Sequence, residues 1–386
     1  MEVRFKNFRC FKDTGLLKLK NITLLIGENS SGKTSFLAGL NHISGLMNDE
    51  NVDLNSPPFE LGSFKDIFNA SSKQEDRCSE YECKVADNCF QWVFEDDQGE
   101  PKVSLFTIRS HTKDFTMEFN VGKSELTIEM PLTEKEQELL KFVGGKFVNK
   151  QNSNTNSKRM VFQKLDEIPH NKIMGSAFNF REVIWRFERK FLDIPFRRIR
   201  RGEKKEQERL AFDDLAENNR EVLHNLYQKM QRFTLASRPF RRFERENKYI
   251  ALAPLRTEPS RVYSFAQSRA RLTPDGSHVP DKLLRHSSST GGRYKEMEYT
   301  LQEFGKEAGL FQSIYTKNLV RNSNYPFSIM VKTAQGRKSN IMDVGYGVSQ
   351  ILPVIFEIIS SGKQQRFLLQ QPEVHLHPRA QAAFEH

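Results

Sequence analysis

The segment that most restricts this chain is Gly27-Glu-Asn-Ser-Ser-Gly-Lys-Thr34, a full match to G-x-x-x-x-G-K-[ST]. Such a loop needs a strand leading in and a helix leading out, so that successive backbone N–H groups turn toward one anion. Both flanks carry that pattern. Residues 21–26 (NITLLI) are a short, mostly apolar run that reads as a buried central strand. Residues 35–47 place Phe36, Leu37, Leu40, Ile43 and Leu46 at helical spacing. The loop predicts a site for ATP and Mg²⁺. Gly27 and Gly32 allow the tight turn, and Asn29, Ser30, Ser31 and Ser35 complete the phosphate-binding stretch. Lys33 is expected to set its ammonium on the β- and γ-phosphates, and the Thr34 hydroxyl to ligate Mg²⁺.

Downstream the periodicity changes. In residues 1–11 the apolar Val3 and Phe5 alternate with charge, as in a strand. Residues 79–130 contain FQWVF, VSLFTI, FTMEFNV and ELTIEM, with Gly99 and Gly122 as turn marks, and predict an antiparallel β-subdomain. Residues 149–159 (NKQNSNTNSKR) are polar and of low complexity, the pattern of a mobile loop. Residues 178–248 read as a helical insertion, and residues 264–293, rich in Ser, Gly, Pro and Arg, as a long surface loop. The organisation expected is an N-terminal lobe over 1–150, a basic helical insertion over 151–250 and a C-terminal lobe over 251–386.

Charge matters because it is uneven. The chain carries +10, and residues 181–261 hold 21 Lys/Arg against 13 Asp/Glu, most of that excess. Arg197, Arg198, Arg200 and Arg201 form the densest cluster, with Phe196, Phe233, Phe240 and Phe243 interleaved across the stretch. Such a patch suits nucleic-acid phosphates, with rings available for stacking. A solvated helical face with its rings in the core accounts for the same pattern, and the 31 Phe of the chain favour that plainer reading. No apolar run approaches the roughly 18 residues a membrane span requires, and the charged N-terminus is no secretory leader. A cytoplasmic protein without a membrane partner is expected. Cys78, Cys83 and Cys89 follow C-x4-C-x5-C, which matches no common zinc spacing, so they and Cys10 read as reduced thiols.

Two later segments carry chemistry. Residues 366–378 (RFLLQQPEVHLHP) are an apolar strand running into a polar turn, where a P-loop ATPase places its Walker B strand. Before it, residues 343–350 (DVGYGVSQ) are a glycine-spaced turn leading into an apolar helix over 351–359. Glycines there permit close backbone approach, and Ser349 at a helix start could donate to phosphate.

Taken together, NFRCFKD, LLIGENSSGKTSFL, DVGYGVSQILPVI and FLLQQPEVHLHPRAQA resemble the ABC-type ATPases of the RecF, SMC and OLD kind. The nearest branch is that of the AAA15/AAA21 ATPases, several of which are ATPase components of anti-phage systems such as PARIS and Septu. Residues 253–261 (APLRTEPSR) and the TPDGSHVP segment are also similar to that branch. The resemblance covers both ends of the chain and leaves the middle unexplained. It implies an α/β fold with a mixed central sheet, an antiparallel β-subdomain and a helical insertion. It also implies that Gly345, Gly347, Ser349 and Gln350 form the signature motif, which closes on nucleotide held by a second copy. A homodimer enclosing two ATP molecules, acting on a separate effector protein, follows from it.

The chain departs from the family in two ways. Where the family has an acidic pair, one residue for Mg²⁺ and the next to polarise water, this chain has Gln370 and Gln371. An amide can orient water but cannot take its proton. Glu373 is then the first carboxylate available at the strand tip, and hydrolysis is expected to be slow. His375 and His377 read as structural or dimer-facing. The family also continues past the point matching His386, so a longer chain is expected. The readings to separate are an ATP-driven defence switch, a RecF-like DNA-repair ATPase and an ATP-clamped scaffold that barely hydrolyses.

Overall fold

The computed structural model describes residues 1–47, 55, 57–69, 78–110, 115–121, 125–137, 146–148, 157–162, 222, 225, 249–264, 272–287, 292–321, 323–362 and 365–385. Most of the basic insertion, with Arg197, Arg198, Arg200 and Arg201, the interleaved Phe residues and most of the low-complexity loop lie outside them; residues 157–162, expected as loop and helical insertion, are instead a strand paired into an antiparallel sheet. The chain forms two compact units, Met1–Asn55 with Leu61–Glu246, and Ser56–Glu60 with Asn247–His386. Both mix helix and strand, and the architecture is the α/β one of a P-loop ATPase.

The first unit is built on a ten-stranded antiparallel sheet. Its strands are β1 (Glu2–Phe8), β2 (Phe11–Asp13), β3 (Leu17–Lys18), β4 (Cys78–Val85), β5 (Asn88–Asp97), β6 (Glu100–Ser110), β7 (Phe115–Asn120), β8 (Glu125–Pro131), β9 (Lys146–Val148) and β10 (Ser157–Phe162). The order is β2-β1-β4-β5-β6-β7-β8-β10-β9, with β3 beside β1. FQWVF, VSLFTI and ELTIEM fall in strands, and FTMEFNV does so as far as Asn120, as their β-rich composition indicated. Gln98 and Gly99 turn β5 into β6 with φ of 59° and 95°, the left-handed pair a two-residue hairpin needs.

Helix α1 (Lys33–Met47) lies on the apolar face of β1 and β4. In-register Phe5 and Tyr81 set their rings 5.3 Å apart, and Phe36 of α1 meets Phe5 edge-on at 5.5 Å. Gly39 makes this approach possible, since a Cβ there would stand 2.6 Å from the Phe5 ring. A short helix α2 (Phe64–Ile67) follows, capped at Ser63, whose backbone N–H and hydroxyl both donate to Asp66.

His42 on the buried side of α1 packs against Tyr81 and Phe94. Burial pushes its imidazole down to about 3. Its unfolded value is about 6.5, so the unfolded chain takes the proton first as pH falls. Stability is whole above about 6.5 and declines toward 3. Replacing His42 by Phe is therefore expected to flatten the acid limb. Measured by urea unfolding, H42F should gain about 2 kcal/mol on the parent between pH 7 and pH 5.

Residues 21–26 do not form the expected strand. Ile22, Leu24 and Ile26 are 79, 76 and 91% exposed. The two sides of β1 are taken, by β2 and β3 and by β4, so the run has no place beside it. Thr23 Oγ1 also accepts from the Lys20 N–H at 3.1 Å, a local bond that competes with extension.

The second unit holds a parallel pair, β11 (Tyr249–Leu252) with β15 (Arg366–Leu369), and a three-stranded antiparallel sheet, β12 (Phe311–Asn318), β13 (Phe327–Thr333) and β14 (Lys338–Asn340). Around them are α3 (Val279–Ser287), α4 (Gly292–Glu307), α5 (Tyr346–Ser360) and α6 (Pro378–Glu385). Part of the stretch read as a surface loop is thus the helix α3. Its Val279, Leu283 and Leu284 are buried, a face that the surrounding Ser, Gly and Arg hide from a compositional reading. Pro280 sits in its first turn, where a missing N–H costs nothing. Cys78, Cys83 and Cys89 lie in β4 and β5 and form no disulfide among the described residues, and no His/Cys/Asp/Glu cluster able to hold a metal occurs among those residues. No helix among those residues is long and apolar enough to cross a membrane.

Candidate nucleotide site

The P-loop lies in the first unit and is open to solvent. Ser30 and Gly32 adopt φ of 65° and 93°, which curves the backbone between them. At Gly32 only glycine fits, because a Cβ would run into Cys10 Sγ and the Phe11 ring. The Ser31 N–H donates to Glu28 O at 3.3 Å, and the Phe36 N–H to Gly32 O at 2.9 Å, where α1 begins. Lys33 Nζ donates to the carbonyls of Gly27 and Glu28 at 2.7 and 2.6 Å. The ammonium is thus held over the loop's own concavity. Gly27, Asn29, Ser30, Ser31 and Thr34 are exposed, and Gly32, Lys33 and Ser35 half-buried. A curved run of amides, a helix start and a cation within one loop suit a polyphosphate.

The segments expected to serve as signature and Walker B lie in the second unit, where the fold brings them together. The helix α5 begins at Tyr346 with Gly345 as its N-cap, five residues earlier than the apolar pattern alone indicated. Gly347 faces the turn after β15, and a Cβ on it would stand 2.8 Å from the His375 carbonyl oxygen. Tyr346 and His375 stack edge to face at 4.9 Å. Ser349 is buried, and its hydroxyl donates to Tyr346 O at 2.8 Å. Gln350 is buried, with an Nε2 that finds no acceptor among the described residues.

At the tip of β15 the three candidate residues differ in setting. Gln370 is buried, its backbone N–H donates to Leu252 O at 3.2 Å, and its Nε2 has no acceptor among the described residues. Gln371 is exposed and left-handed, φ 42°. Glu373 is exposed on the turn. The only carboxylate of the three therefore faces solvent, while the position expected to serve Mg²⁺ offers one amide oxygen. His375 is also left-handed, φ 69°, so this turn concentrates unusual backbone in five residues.

Sequence reasoning passed over two arginines here. Arg261 forms a two-pronged pair with Asp343, Nη1 to Oδ2 at 3.0 Å and Nη2 to Oδ1 at 2.6 Å, tying the start of the signature segment to the loop after β11. Arg256 of the same loop is only 5% exposed. Both stand in APLRTEPSR, whose spacing gives no sign that one is a surface clasp and the other buried.

A family model described as an AAA ATPase domain matches residues 1–385. No curated protein matches the chain.

Proposed function

The chain belongs to the AAA ATPase domain family and is an ATPase domain; from that premise we propose that it is a slow, homodimerising ATP-driven switch acting on a separate effector protein. The observation that carries this reading is the contrast between its two motifs. The P-loop has every group a triphosphate needs, with Lys33 already held over the loop. The tip of β15 has amides at Gln370 and Gln371 and a carboxylate only at Glu373. Binding is thus well provided for and proton removal from water poorly, the balance that suits a timer more than a motor. Mg²⁺ would be held on the nucleotide by the Thr34 hydroxyl, and would offset the charge of the phosphates. The signature residues Gly345, Gly347, Ser349 and Gln350 support closure on a second copy, as the family resemblance implies. That resemblance also supports a role as the ATPase component of an anti-phage system.

Steady-state phosphate release from ATP, with Lys33→Ala as control, tests the enzymatic core. Loss of the ammonium is expected to cut turnover at least a hundredfold, several charge-assisted bonds being lost at once. Equal release by both proteins would overturn the assignment of the P-loop. Sedimentation with and without ATP tests dimerisation, and a monomer under both conditions would rule out the switch.

A further inference from the structure

The parallel register of β11 and β15 pairs Leu252 with Leu369, so the loops that follow these strands leave the same edge. Ligands of open α/β sheets gather at that carboxyl edge. One loop leads to Arg256, the other to Gln370 and Glu373. Arg256 Nε, Nη1 and Nη2 are all buried and donate no hydrogen bond among the described residues. The Gln370 Nε2 at the same edge is in the same condition. Burial pushes the guanidinium below its usual value, and only the charge of Glu373 opposes this. Glu373 makes no hydrogen bond to it among the described residues.

A buried guanidinium with its whole fork free is costly unless an anion completes it. The backbone that carries Arg256 is anchored on both sides. Ala253 and Thr257, on either side of Arg256, donate their N–H groups to Pro274 O and Asp275 O, each at 2.9 Å. Thr257 Oγ1 adds a bond to Asp275 Oδ2 at 2.7 Å. Asp275 is held at about 2; burial alone would raise it, but hydrogen bonds from Thr257, Ser277 and Thr273 outweigh that. Gly276, next along, is seated against Pro353 of α5, where no side chain would fit. Arg256 is therefore fixed between anchored residues rather than swinging on a free loop.

We propose that Arg256, assisted by the Gln370 amide, is an oxyanion receptor at the carboxyl edge of the β11–β15 pair, taking a phosphoryl group. Its planar fork fits two phosphoryl oxygens at once. The source is the terminal phosphate of a nucleotide or free inorganic phosphate. The proposal rests on the ATPase reading for the first of these sources and stands without it for the second.

The test uses the whole chain with R256Q and R256K, and ATPγS, ADP and inorganic phosphate as probes. Calorimetry is expected to show ATPγS binding weakened ten- to a hundredfold by R256Q, with ADP kept within about threefold. R256K, a point charge without the fork, should fall between. Added guanidinium ion should restore ATPγS binding to an R256A variant, which a merely structural arginine would not permit. If phosphate raises the melting temperature of the parent but not of R256Q while ATPγS binds both alike, free phosphate is the source. Parent-like binding of all three probes by R256Q would overturn the proposal. So would equal loss of ATPγS and ADP accompanied by a lower urea midpoint. The P-loop assignment fails separately, if K33A binds nucleotide as the parent does.

Discussion

Replacing Glu357 by Leu is expected to destabilise the second unit by about 3–5 kcal/mol, the usual cost of removing one partner from a buried ion pair. Glu357 lies on α5 and is fully buried. It accepts from Lys282 Nζ at 2.8 and 2.9 Å, through both of its oxygens, and from His278 Nε2 at 2.8 Å. The backbone N–H of Thr273 donates to His278 Nδ1 at 3.1 Å, so that nitrogen carries no proton and Nε2 is the donor. Neutral His278 and charged Lys282 thus clasp one carboxylate and bind α3 with its leading turn to α5. Urea unfolding gives the check. The triple change E357L, H278L and K282M should recover most of the loss, because an apolar replacement of the whole cluster leaves no orphan.

The same cluster predicts a pH dependence. Burial alone would raise the Glu357 carboxyl, but the bonds from His278 and Lys282 outweigh it and hold it below the usual range. Its contribution is then complete above the unfolded carboxylate value of about 4.3, and is lost as pH falls through the lower folded value. Unfolding of the E357L variant should lack that acid step.

The second large effect concerns turnover. Gln371→Glu is nearly isosteric at an exposed position, so it should leave stability within about 0.5 kcal/mol. It adds a carboxylate where the resemblance implies the water-polarising residue, and steady-state phosphate release should rise about a hundredfold, the lower end of what a general base contributes. The complementary change, E373Q, should reduce the parent's release by at least tenfold. If Q371E gives no gain while E373Q abolishes release, Glu373 already serves as the base and the amide pair is no handicap.

Much of this was legible from sequence. The P-loop and α1 follow from a complete motif and an unbroken helical stripe, and the meander from β-rich runs separated by turn glycines in β5 to β8. The start of α5 was read late because Gly345 and Gly347 look like turn residues. In the fold one is an N-cap, and the other sits inside the helix so that the His375 carbonyl can approach. The run NITLLI has a strand's composition, but composition does not state whether a neighbouring edge is free. The clasp around Glu357 was invisible for a different reason. It joins residues 278, 282 and 357, and the acid lies within the most apolar helix of the unit. Arg256 escaped notice because burial of a single cation leaves no periodic trace.

The pairing of β11 with β15 also bears on the order in which the chain acquires its shape. The first unit's sheet grows largely by hairpins between consecutive strands, β4 to β8, each closing a short loop. The β11–β15 pair instead joins the beginning of the second unit's main segment to a point near its end, across nearly all of that unit. Non-local parallel pairing has the larger entropic barrier and forms late. On the ribosome the meander can fold while β15 is still unmade, so the edge bearing Gln370, Gln371 and Glu373 takes form after it. Chains halted before that point would carry the P-loop without the edge proposed above to assist hydrolysis, and are expected to exchange nucleotide without cleaving it.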